Sequence, residues 1–385
     1  MSKRNKEIGR KKNLVRGSVC RKGQTMENGK INRERLAENA CEELLSYGIW
    51  NGKECLKRGI KKYILHRQIA PQDLIFWPTG LLAAGLWKYR GKAAQTGRTD
   101  AALAAYYGRW IGKGMPITCL DDLLAGETLL AAYQEKNLPE EWQERGLTME
   151  RIRKALDLLA DYAMQYPTDE TGSFPYRYRP QNPQKEDIFV DTIGLVCPYL
   201  YQYGEMSGRQ EYQEIAVRQI ANYLAYGMDE EHNLPYHGYE LKKGCKYGII
   251  GWGRAVGWLL RGMCGCMQTA YGKEKIGEFY RPIMDSVLGY QRNDGYFGWQ
   301  LEAKDGPKDT SATAMIGVAL QEGIRLGVLP QESYIDALLL CTEALAKSEK
   351  DGKIYDCSGE CEGFAQYPQR YDAYPWALGP ALELF

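Results

Sequence analysis

The stretch Asp169-Glu-Thr-Gly-Ser-Phe-Pro-Tyr176 has three related copies further along the chain, and this repeat is the strongest indication of the fold. The later copies are Asp229-Glu-Glu-His-Asn-Leu-Pro-Tyr236, Asp294-Gly-Tyr-Phe-Gly-Trp299 and Asp351-Gly-Lys-Ile-Tyr355. Each copy places an acidic residue and a turn-forming residue before an aromatic one. The spacings are 61, 62 and 57 residues, measured at Gly172, Asn233, Gly295 and Gly352. A unit of this length accommodates two helices and their loops.

Between the loops, the sequence has helical periodicity. The segment 149–164 carries apolar side chains at 149, 152, 155/156, 159/160 and 163, the spacing of a helix with one buried stripe. Similar patterns predict helices at 34–47, 53–66, 77–89, 100–112, 122–135, 149–165, 192–206, 209–226, 253–270, 274–291, 310–326, 331–347 and 374–384. We find no convincing strand alternation outside the short loops, so the predicted class is all-α.

The repeat number and the C-terminal sequence favour a closed ring. About 360 residues at about 60 per unit give six helical hairpins. An open solenoid needs polar capping repeats, whereas this chain ends in Tyr374-Pro-Trp-Ala-Leu-Gly-Pro-Ala-Leu-Glu-Leu-Phe385, an apolar helix that needs partners on every side. We therefore predict one (α/α)6 barrel, a six-hairpin toroid, at residues 31–385. Its ligand site should lie where the loops converge at one end.

Composition and charge narrow the function classes. The 385 residues include 50 basic and 49 acidic ones and are 44% hydrophobic, which indicates a globular protein and gives no reason to expect nucleic acid. No uninterrupted apolar run is long enough to span a membrane. Residues 1–30 hold ten basic and two acidic residues without the apolar run of a secretory signal, so we predict a disordered basic segment there.

The cysteine and histidine content predicts neither a metal site nor disulfides. Eleven cysteines are scattered without a C-x-x-C pair, and there are three histidines. Cys357 and Cys361 are the nearest approach to a metal-binding pair. We favour reduced, mostly buried thiols in a cytoplasmic protein with no metal and no cofactor.

The segment Gly251-Trp-Gly-Arg-Ala-Val-Gly-Trp258 is the most informative part of the chain for function. The chain contains 28 Tyr and 9 Trp, and rings with polar tips suit sugar faces, although most of them could simply fill a core. Arg254 and Trp258 share a helix face, and Trp252 joins them if the helix begins near Arg254. We hypothesise that Arg254 binds a carboxylate between two indole rings. The alternative is a structural arginine paired with a carboxylate.

Two other candidates lie on loops upstream. His237 is on one of the recurring loops and should face the mouth of the ring, whereas His66 and His232 have no such context and are predicted at the surface. Asp191 precedes a helical pattern, where an ordinary role would be the N-cap. Pro198 lies seven residues later, so we expect a kink or a late helix start there.

Several motifs, in this order and spacing, resemble the unsaturated glycuronyl hydrolases, specifically the unsaturated rhamnogalacturonyl hydrolase group of glycoside hydrolase families 105 and 88. The resemblance covers roughly residues 34–385. The motifs are Leu120-Asp121-Asp-Leu-Leu-Ala-Gly126, Phe189-Val-Asp191-Thr192 with Pro198-Tyr-Leu, Leu234-Pro-Tyr-His237-Gly-Tyr239, Trp252-Gly-Arg254-Ala-Val-Gly-Trp258 and Asp309-Thr-Ser-Ala-Thr-Ala-Met315.

The resemblance implies removal of a 4,5-unsaturated uronic acid from the non-reducing end of a short oligosaccharide by hydration of its vinyl ether. It implies that Asp191 is the general acid and base and that Asp121 is the second aspartate. The expected substrate contacts are His237, Trp252, Arg254 and Trp258, together with Tyr176 and Tyr239. The expected partner is a small oligosaccharide, with no nucleic acid and no membrane, and the chain should be a monomer or a weak homo-oligomer.

Some residues depart from the family pattern and leave alternatives open. Phe189, Gly194-Leu195 and Pro175-Tyr176-Arg177 replace residues that family members commonly have, so the leaving sugar is undecided. A sugar 2-epimerase of the same fold is one alternative, but it generally needs more than one catalytic histidine. A catalytically silent carbohydrate-binding toroid is the other, favoured if Asp191 is a helix cap that points away from the mouth.

Overall fold

Helices make up most of the computed structural model, which describes residues 31–49, 56–57, 60, 64, 74–92, 96–176, 187–363 and 366–385. The helices are α1 (Arg33–Ser46), α2 (Trp77–Arg90), α3 (Gly97–Gly112), α4 (Ala125–Gln134), α5 (Glu140–Glu144), α6 (Met149–Met164), α7 (Asp191–Ser207), α8 (Gln210–Tyr226), α9 (Gly253–Cys266), α10 (Ala270–Leu288), α11 (Thr310–Arg325), α12 (Gln331–Ser348) and α13 (Pro375–Leu384). A 3-10 helix, Leu120–Leu124, precedes α4. These bounds agree with most of the predicted helices to within a few residues.

The strands are two or three residues long and lie between helices. They are β1 (Ile188–Phe189), β2 (Met228–Asp229), β3 (Leu234–Pro235), β4 (Gly238–Glu240), β5 (Cys245–Tyr247), β6 (Glu349–Lys350), β7 (Lys353–Ile354), β8 (Cys357–Ser358) and β9 (Tyr371–Asp372). All the pairings are antiparallel, in the orders β1-β4-β5, β2-β3, β6-β7 and β8-β9.

Six helices pack on one another in a closed order. Each of α2, α4, α7, α9, α11 and α13 contacts the next, and α13 contacts α2. A second set alternates with them along the chain, α1, α3, α6, α8, α10 and α12, and each of these packs against one or two helices of the first set. Burial separates the sets: 13 of the 14 residues of α9 are buried, against 6 of the 16 residues of α6. The first set therefore supplies the core, as helices that are apolar on every side do.

The C-terminal helix closes this order through a backbone contact. A Cβ added at Gly85 of α2 would lie 2.2 Å from the carbonyl oxygen of Gly379 in α13. Only glycine lets the two backbones approach this closely. The apolar sequence of α13 thus has partners on its sides, as the sequence predicts. Residues 31–385 form one compact unit, while the predicted disorder of residues 1–30 lies outside the described residues.

The recurring loops share one backbone feature. All four turn formers adopt a positive φ, at +82° for Gly172, +53° for Asn233, +90° for Gly295 and +74° for Gly352. In the first three copies the acidic residue accepts hydrogen bonds from the turn, as Asp169 does from the backbone N–H groups of Thr171 and Ser173. Glycine and asparagine recur because they tolerate this left-handed conformation.

The structure differs from the predicted helices in three places, and a fourth prediction falls largely on residues that the structure does not describe. The predicted helix at 253–270 ends at Cys266, because Thr269 is extended and begins the next helix as its N-cap. Helix α5 was missed because five residues are too few to show periodicity. The late start expected near Pro198 is wrong: α7 is helical from Asp191 to Ser207 with the proline inside. The predicted helix at 53–66 lies almost entirely outside the described residues. His66 is also outside them.

Candidate active site

A cavity of about 380 Å³ lies at the N-terminal ends of the core helices. Trp77 is the first residue of α2, Asp191 the first of α7, and Arg254 the second of α9. The volume is typical of ligand sites, which are about 300 to 1,000 Å³. The lining residues are Phe76, Trp77, Asp121, Tyr176, Phe189, Asp191, Leu195, His237, Trp252, Arg254, Trp258, Glu360, Cys361, Glu362 and Gly363. Seven of the eight predicted site residues are among them.

Asp191 lies at the cavity because a small sheet ties its loop to the loop of His237. Strands β1 and β4 pair antiparallel, and the N–H of Val190 donates to the carbonyl of His237 at 3.0 Å. Asp191 is the first residue of α7 and not its N-cap, which is Val190. Its Oδ2 lies 3.2 Å from Nε2 of His237, and its side chain is 18% exposed. The predicted ordinary role as a cap is therefore not what the structure shows.

His237 is held on both sides of its ring. Its Nδ1 lies 2.9 Å from the hydroxyl of Tyr367, and its ring packs against Phe189 and Trp252 with centroids 4.8 Å and 4.6 Å away. Gly248 has a φ of +80°, and a Cβ there would lie 2.5 Å from both His237 Cβ and the Tyr367 hydroxyl. Only glycine leaves room for this pair of side chains. The histidine is therefore fixed with Nε2 toward Asp191.

Asp121 is a buried carboxyl group on the 3-10 helix before α4. The hydroxyl of Tyr176 donates to its Oδ2 at 3.0 Å, and Oδ1 is buried without a hydrogen-bond partner among the described residues. Burial raises the pKa of Asp121 to about 8; the Tyr176 hydrogen bond opposes this, and the charges of Asp122 and Asp191 reinforce it. Asp121 therefore holds a proton in most molecules at neutral pH.

This raised pKa predicts how Asp121→Asn changes stability with pH. Between pH 4 and pH 8 the folded chain holds a proton on Asp121 that the unfolded chain has lost, so wild-type stability falls as pH rises through this window. The asparagine does not titrate and still accepts from Tyr176. The free energy of unfolding of the variant minus that of the wild type should rise by a few kcal/mol between pH 5 and pH 8 and stay constant above pH 8. Denaturant unfolding of both proteins measures this difference, and a constant gap across that range would contradict the assignment.

Arg254 is anchored through two serine hydroxyl groups to a buried aspartate. Its Nη1 donates to Oγ of Ser358 at 2.9 Å and Oγ of Ser311 at 3.3 Å, and its Nη2 donates to the carbonyl of Gly359 at 2.8 Å. Both hydroxyls donate to Asp309, each at 2.6 Å. Asp309 is fully buried. This explains the sequence motif that begins at Asp309, and it gives Arg254 a structural counter-charge in addition to its place on the cavity wall.

The indole rings that flank the guanidinium of Arg254 are those of Trp252 and Trp376, while Trp258 lines the same cavity. The Cζ of Arg254 lies 4.7 Å from the ring centroid of Trp252 and 5.6 Å from that of Trp376. Trp258 instead packs edge to face against Trp77, with centroids 5.9 Å apart. The helix begins at Gly253 with Trp252 as its N-cap, as predicted. The Nε1 donor of Trp252 is buried without a hydrogen-bond partner in the described chain.

Two other predicted positions lie away from the cavity. Tyr239 is 2% exposed, its hydroxyl lies 3.3 Å from Oγ of Ser173, and its ring packs on Tyr223 and Tyr226. The structure therefore places Tyr239 in a neighbouring aromatic cluster, and we do not retain it as a substrate contact. His232 is partly exposed and forms ion-pair contacts with Asp229 and Glu302.

The described cysteines and histidines do not form a metal centre. Cys357 is fully buried, and Cys361 lines the cavity with its Sγ 4.0 Å from Nε2 of His237. In the described ranges no group of three or more His, Cys, Asp or Glu side chains is arranged to hold a metal ion. The same part of the chain has no helix that could cross a bilayer.

Sequence reasoning missed Trp77 and Glu360 of the cavity lining, and it missed Trp376 and Tyr367, which contact Arg254 and His237. Trp77 is the first residue of α2 and Trp376 the second of α13, as Asp191 is the first of α7 and Arg254 the second of α9. The first turn of each core helix was therefore a usable signal once the mouth was assigned to that end. Tyr367 and Glu360 carried no such signal, because they lie in the irregular connection before α13.

Comparisons with known proteins assign the chain to a family. Residues 53–383 match the model of Glycosyl Hydrolase Family 88. Over 207 residues the chain is 25% identical to the unsaturated rhamnogalacturonyl hydrolase YesR of Bacillus subtilis (strain 168), a match that spans 51% of this chain and 58% of that protein.

Two crystal structures share the fold at low identity. One is a possible member of family GH105 from Klebsiella pneumoniae subsp. pneumoniae MGH 78578, with a TM-score of 0.75, 15% identity and coverage of 98% of both chains. The other is the unsaturated glucuronyl hydrolase of Bacillus sp. GL1, with a TM-score of 0.65, 17% identity and coverage of 91% of this chain and 95% of that one. At these identities the likeness shows the fold. Because the family model covers most of the chain, the protein belongs to glycosyl hydrolase family 88 and is a glycoside hydrolase.

Proposed function

We propose that this glycoside hydrolase removes a 4,5-unsaturated uronic acid from the non-reducing end of lyase-generated oligosaccharides, with unsaturated galacturonyl-rhamnose as the substrate. One observation carries the proposal: two carboxyl groups, Asp121 and Asp191, share a cavity with the guanidinium of Arg254 and with indole walls. The name of the Bacillus subtilis relative supports the same substrate class. We also propose that the closed order of core helices is an (α/α)6 barrel, and the contacts of six core helices with six alternating outer helices support this.

In the proposed reaction, Asp191 acts first as an acid and then as a base. It donates a proton to C4 of the C4=C5 double bond, and positive charge develops at C5, where the ring oxygen shares it. Asp191 then takes a proton from the water that adds at C5. The resulting hemiketal opens, and the second sugar leaves with a free hydroxyl group, so one water is consumed. His237, with Nε2 3.2 Å from Oδ2, orients Asp191 for both steps.

The buried part of the cavity lining offers partners for each part of the uronide. Arg254 and the N-termini of α2, α7 and α9 favour its carboxylate. The faces of Trp252 and Trp258 suit its ring. The protonated carboxyl of Asp121 can donate a hydrogen bond to a sugar hydroxyl, because Oδ1 has no partner in the described chain.

The alternatives have less support. In the described chain His237 is the histidine that lines the cavity, whereas an epimerase generally uses more than one. The silent toroid would be favoured if Asp191 were a helix cap that points away from the mouth, but Asp191 lines the cavity and is not a cap. A cytoplasmic location is also proposed, on the ground that the nine described cysteines are all free thiols.

The substrate proposal is tested with unsaturated disaccharides prepared by polysaccharide lyases. We expect the conjugated double bond's ultraviolet absorbance to fall on incubation with the enzyme, fastest for the galacturonyl-rhamnose compound. Polygalacturonan and glycosaminoglycan disaccharides form the rest of the panel. Unchanged absorbance with every compound would contradict the proposed reaction. A faster loss of absorbance with another compound would show that its second sugar, and not rhamnose, is the preferred leaving sugar.

A further inference from the structure

The mouth of the cavity is acidic. The connection after β8 contributes Glu360 and Glu362 to the lining, and both side chains are exposed. In contrast, Asp121, His237 and Arg254 are at most 2% exposed. The two glutamates therefore form a rim above a floor of buried groups.

This rim is held at a fixed place relative to the catalytic groups. The carbonyl of Gly359 accepts from Nη2 of Arg254 at 2.8 Å, and the N–H of Gly359 donates to the carbonyl of Arg370 at 2.8 Å. Cys361, between the two glutamates, lies 4.0 Å from Nε2 of His237 through its Sγ. The rim carboxylates are thus positioned by the same side chains that form the floor.

The floor itself has the features of a ligand site. Asp121 is 1% exposed, and its Oδ1 has no hydrogen-bond partner among the described residues; the same holds for Nε1 of Trp252. Buried polar atoms without partners favour a ligand that forms hydrogen bonds with them. When the terminal uronide occupies this floor, the second sugar has to lie at the rim, because the enzyme acts from the chain end.

The charges at the rim are close enough to act on one another. Although Glu360 is exposed as a residue, the cavity wall partly shields its carboxyl from water and raises its pKa; the charge of Arg254 opposes this, and that of Glu362 reinforces it. The uronide carboxylate on the floor meets Arg254 and three helix N-termini. An anionic group on the second sugar would meet two carboxylates instead.

We infer that Glu360 and Glu362 make the enzyme select a neutral second sugar and discriminate against one that carries a sulfate or a carboxylate. This inference rests on the proposed function and names the determinant of its leaving-sugar specificity. Like charges held together at a binding surface cost affinity, and such repulsion is a common way to reject the wrong partner.

The test compares two unsaturated disaccharides that differ only by a sulfate on the second sugar. For the wild-type enzyme we expect kcat/KM to be at least about tenfold higher for the neutral compound. In the double variant Glu360→Gln, Glu362→Gln this ratio should fall several-fold, because kcat/KM for the sulfated compound rises. The matched control is Glu343→Gln, an exposed glutamate on α12, which should leave the ratio unchanged. Added salt should also narrow the wild-type ratio.

Two outcomes overturn the inference while leaving the proposed function intact. One is equal turnover of both compounds by the wild-type enzyme. The other is a wild-type preference that the double variant retains in full, which would place the discrimination elsewhere in the cavity. If neither compound is turned over by any protein, the proposed function fails, and this inference fails with it.

Discussion

Asp191→Asn is expected to abolish turnover of the unsaturated disaccharide while the protein keeps its fold. The amide has nearly the same shape as the carboxyl group, but it cannot donate an acidic proton to C4 or accept one from water. Loss of a positioned acid and base typically costs about 10²- to 10⁴-fold in rate. Initial rates from the fall in ultraviolet absorbance measure the loss, and circular dichroism checks the fold.

The matched control for this variant is Asp161→Asn, which changes an exposed aspartate on α6 that is not among the residues lining the cavity. It makes the same chemical change and should retain wild-type turnover. If Asp191→Asn also retained turnover, the acid would have to be another group, and Asp121 would be the next to test. A variant that unfolds would be replaced by Asp191→Glu, which keeps an acid but displaces it.

Arg254→Ala is expected to weaken both the fold and substrate binding. The substitution removes the charge that faces Asp309 through the hydroxyls of Ser311 and Ser358, and leaves that fully buried aspartate without its counter-charge. Breaking a buried charge pair by removing one partner costs about 3–5 kcal/mol. Denaturant unfolding measures this loss. KM should also rise, because the uronide carboxylate loses a charge-assisted hydrogen-bond donor.

A second variant separates the two effects. Arg254→Ala combined with Asp309→Asn removes both charges, so part of the lost stability should return, while KM should stay high. The Asp309→Asn change alone reports what the aspartate contributes to positioning the guanidinium. An unchanged KM in Arg254→Ala would show that the arginine does not bind the substrate. Equal stability of Arg254→Ala and the double variant would show that Arg254 and Asp309 are not energetically coupled.

Local patterns predicted the helices and the loops that carry the site. The stripe at 149–164 and the apolar α13 gave elements close to the observed ones, because each records its own burial in its own sequence. The recurring turn formers were recognised for the same reason, since Gly172 and Asn233 need a left-handed backbone. Helix joints were less predictable where two periodic segments meet, as at Thr269.

Side-chain partners far apart in the sequence were not predictable. Tyr367 is 130 residues from His237, and Ser358 is 104 residues from Arg254. Neither contact has a periodic signature. The sequence brought Trp252, Arg254 and Trp258 to one site, but it gave no indication that Trp376 also lies beside the guanidinium. The place of Tyr239 outside the cavity lining was not predictable for a similar reason, because a position on a loop at the site does not decide which side chains the ring contacts.

The proposed chemistry depends on a double bond between C4 and C5 of the terminal sugar, and a matched substrate pair tests this dependence. Galacturonyl-rhamnose is supplied with and without that double bond, and release of rhamnose is followed by chromatography with wild-type enzyme. We predict release from the unsaturated compound and none from the saturated one, because protonation at C4 needs the alkene. Release from both compounds at similar rates would contradict vinyl-ether hydration and indicate direct cleavage at the glycosidic carbon.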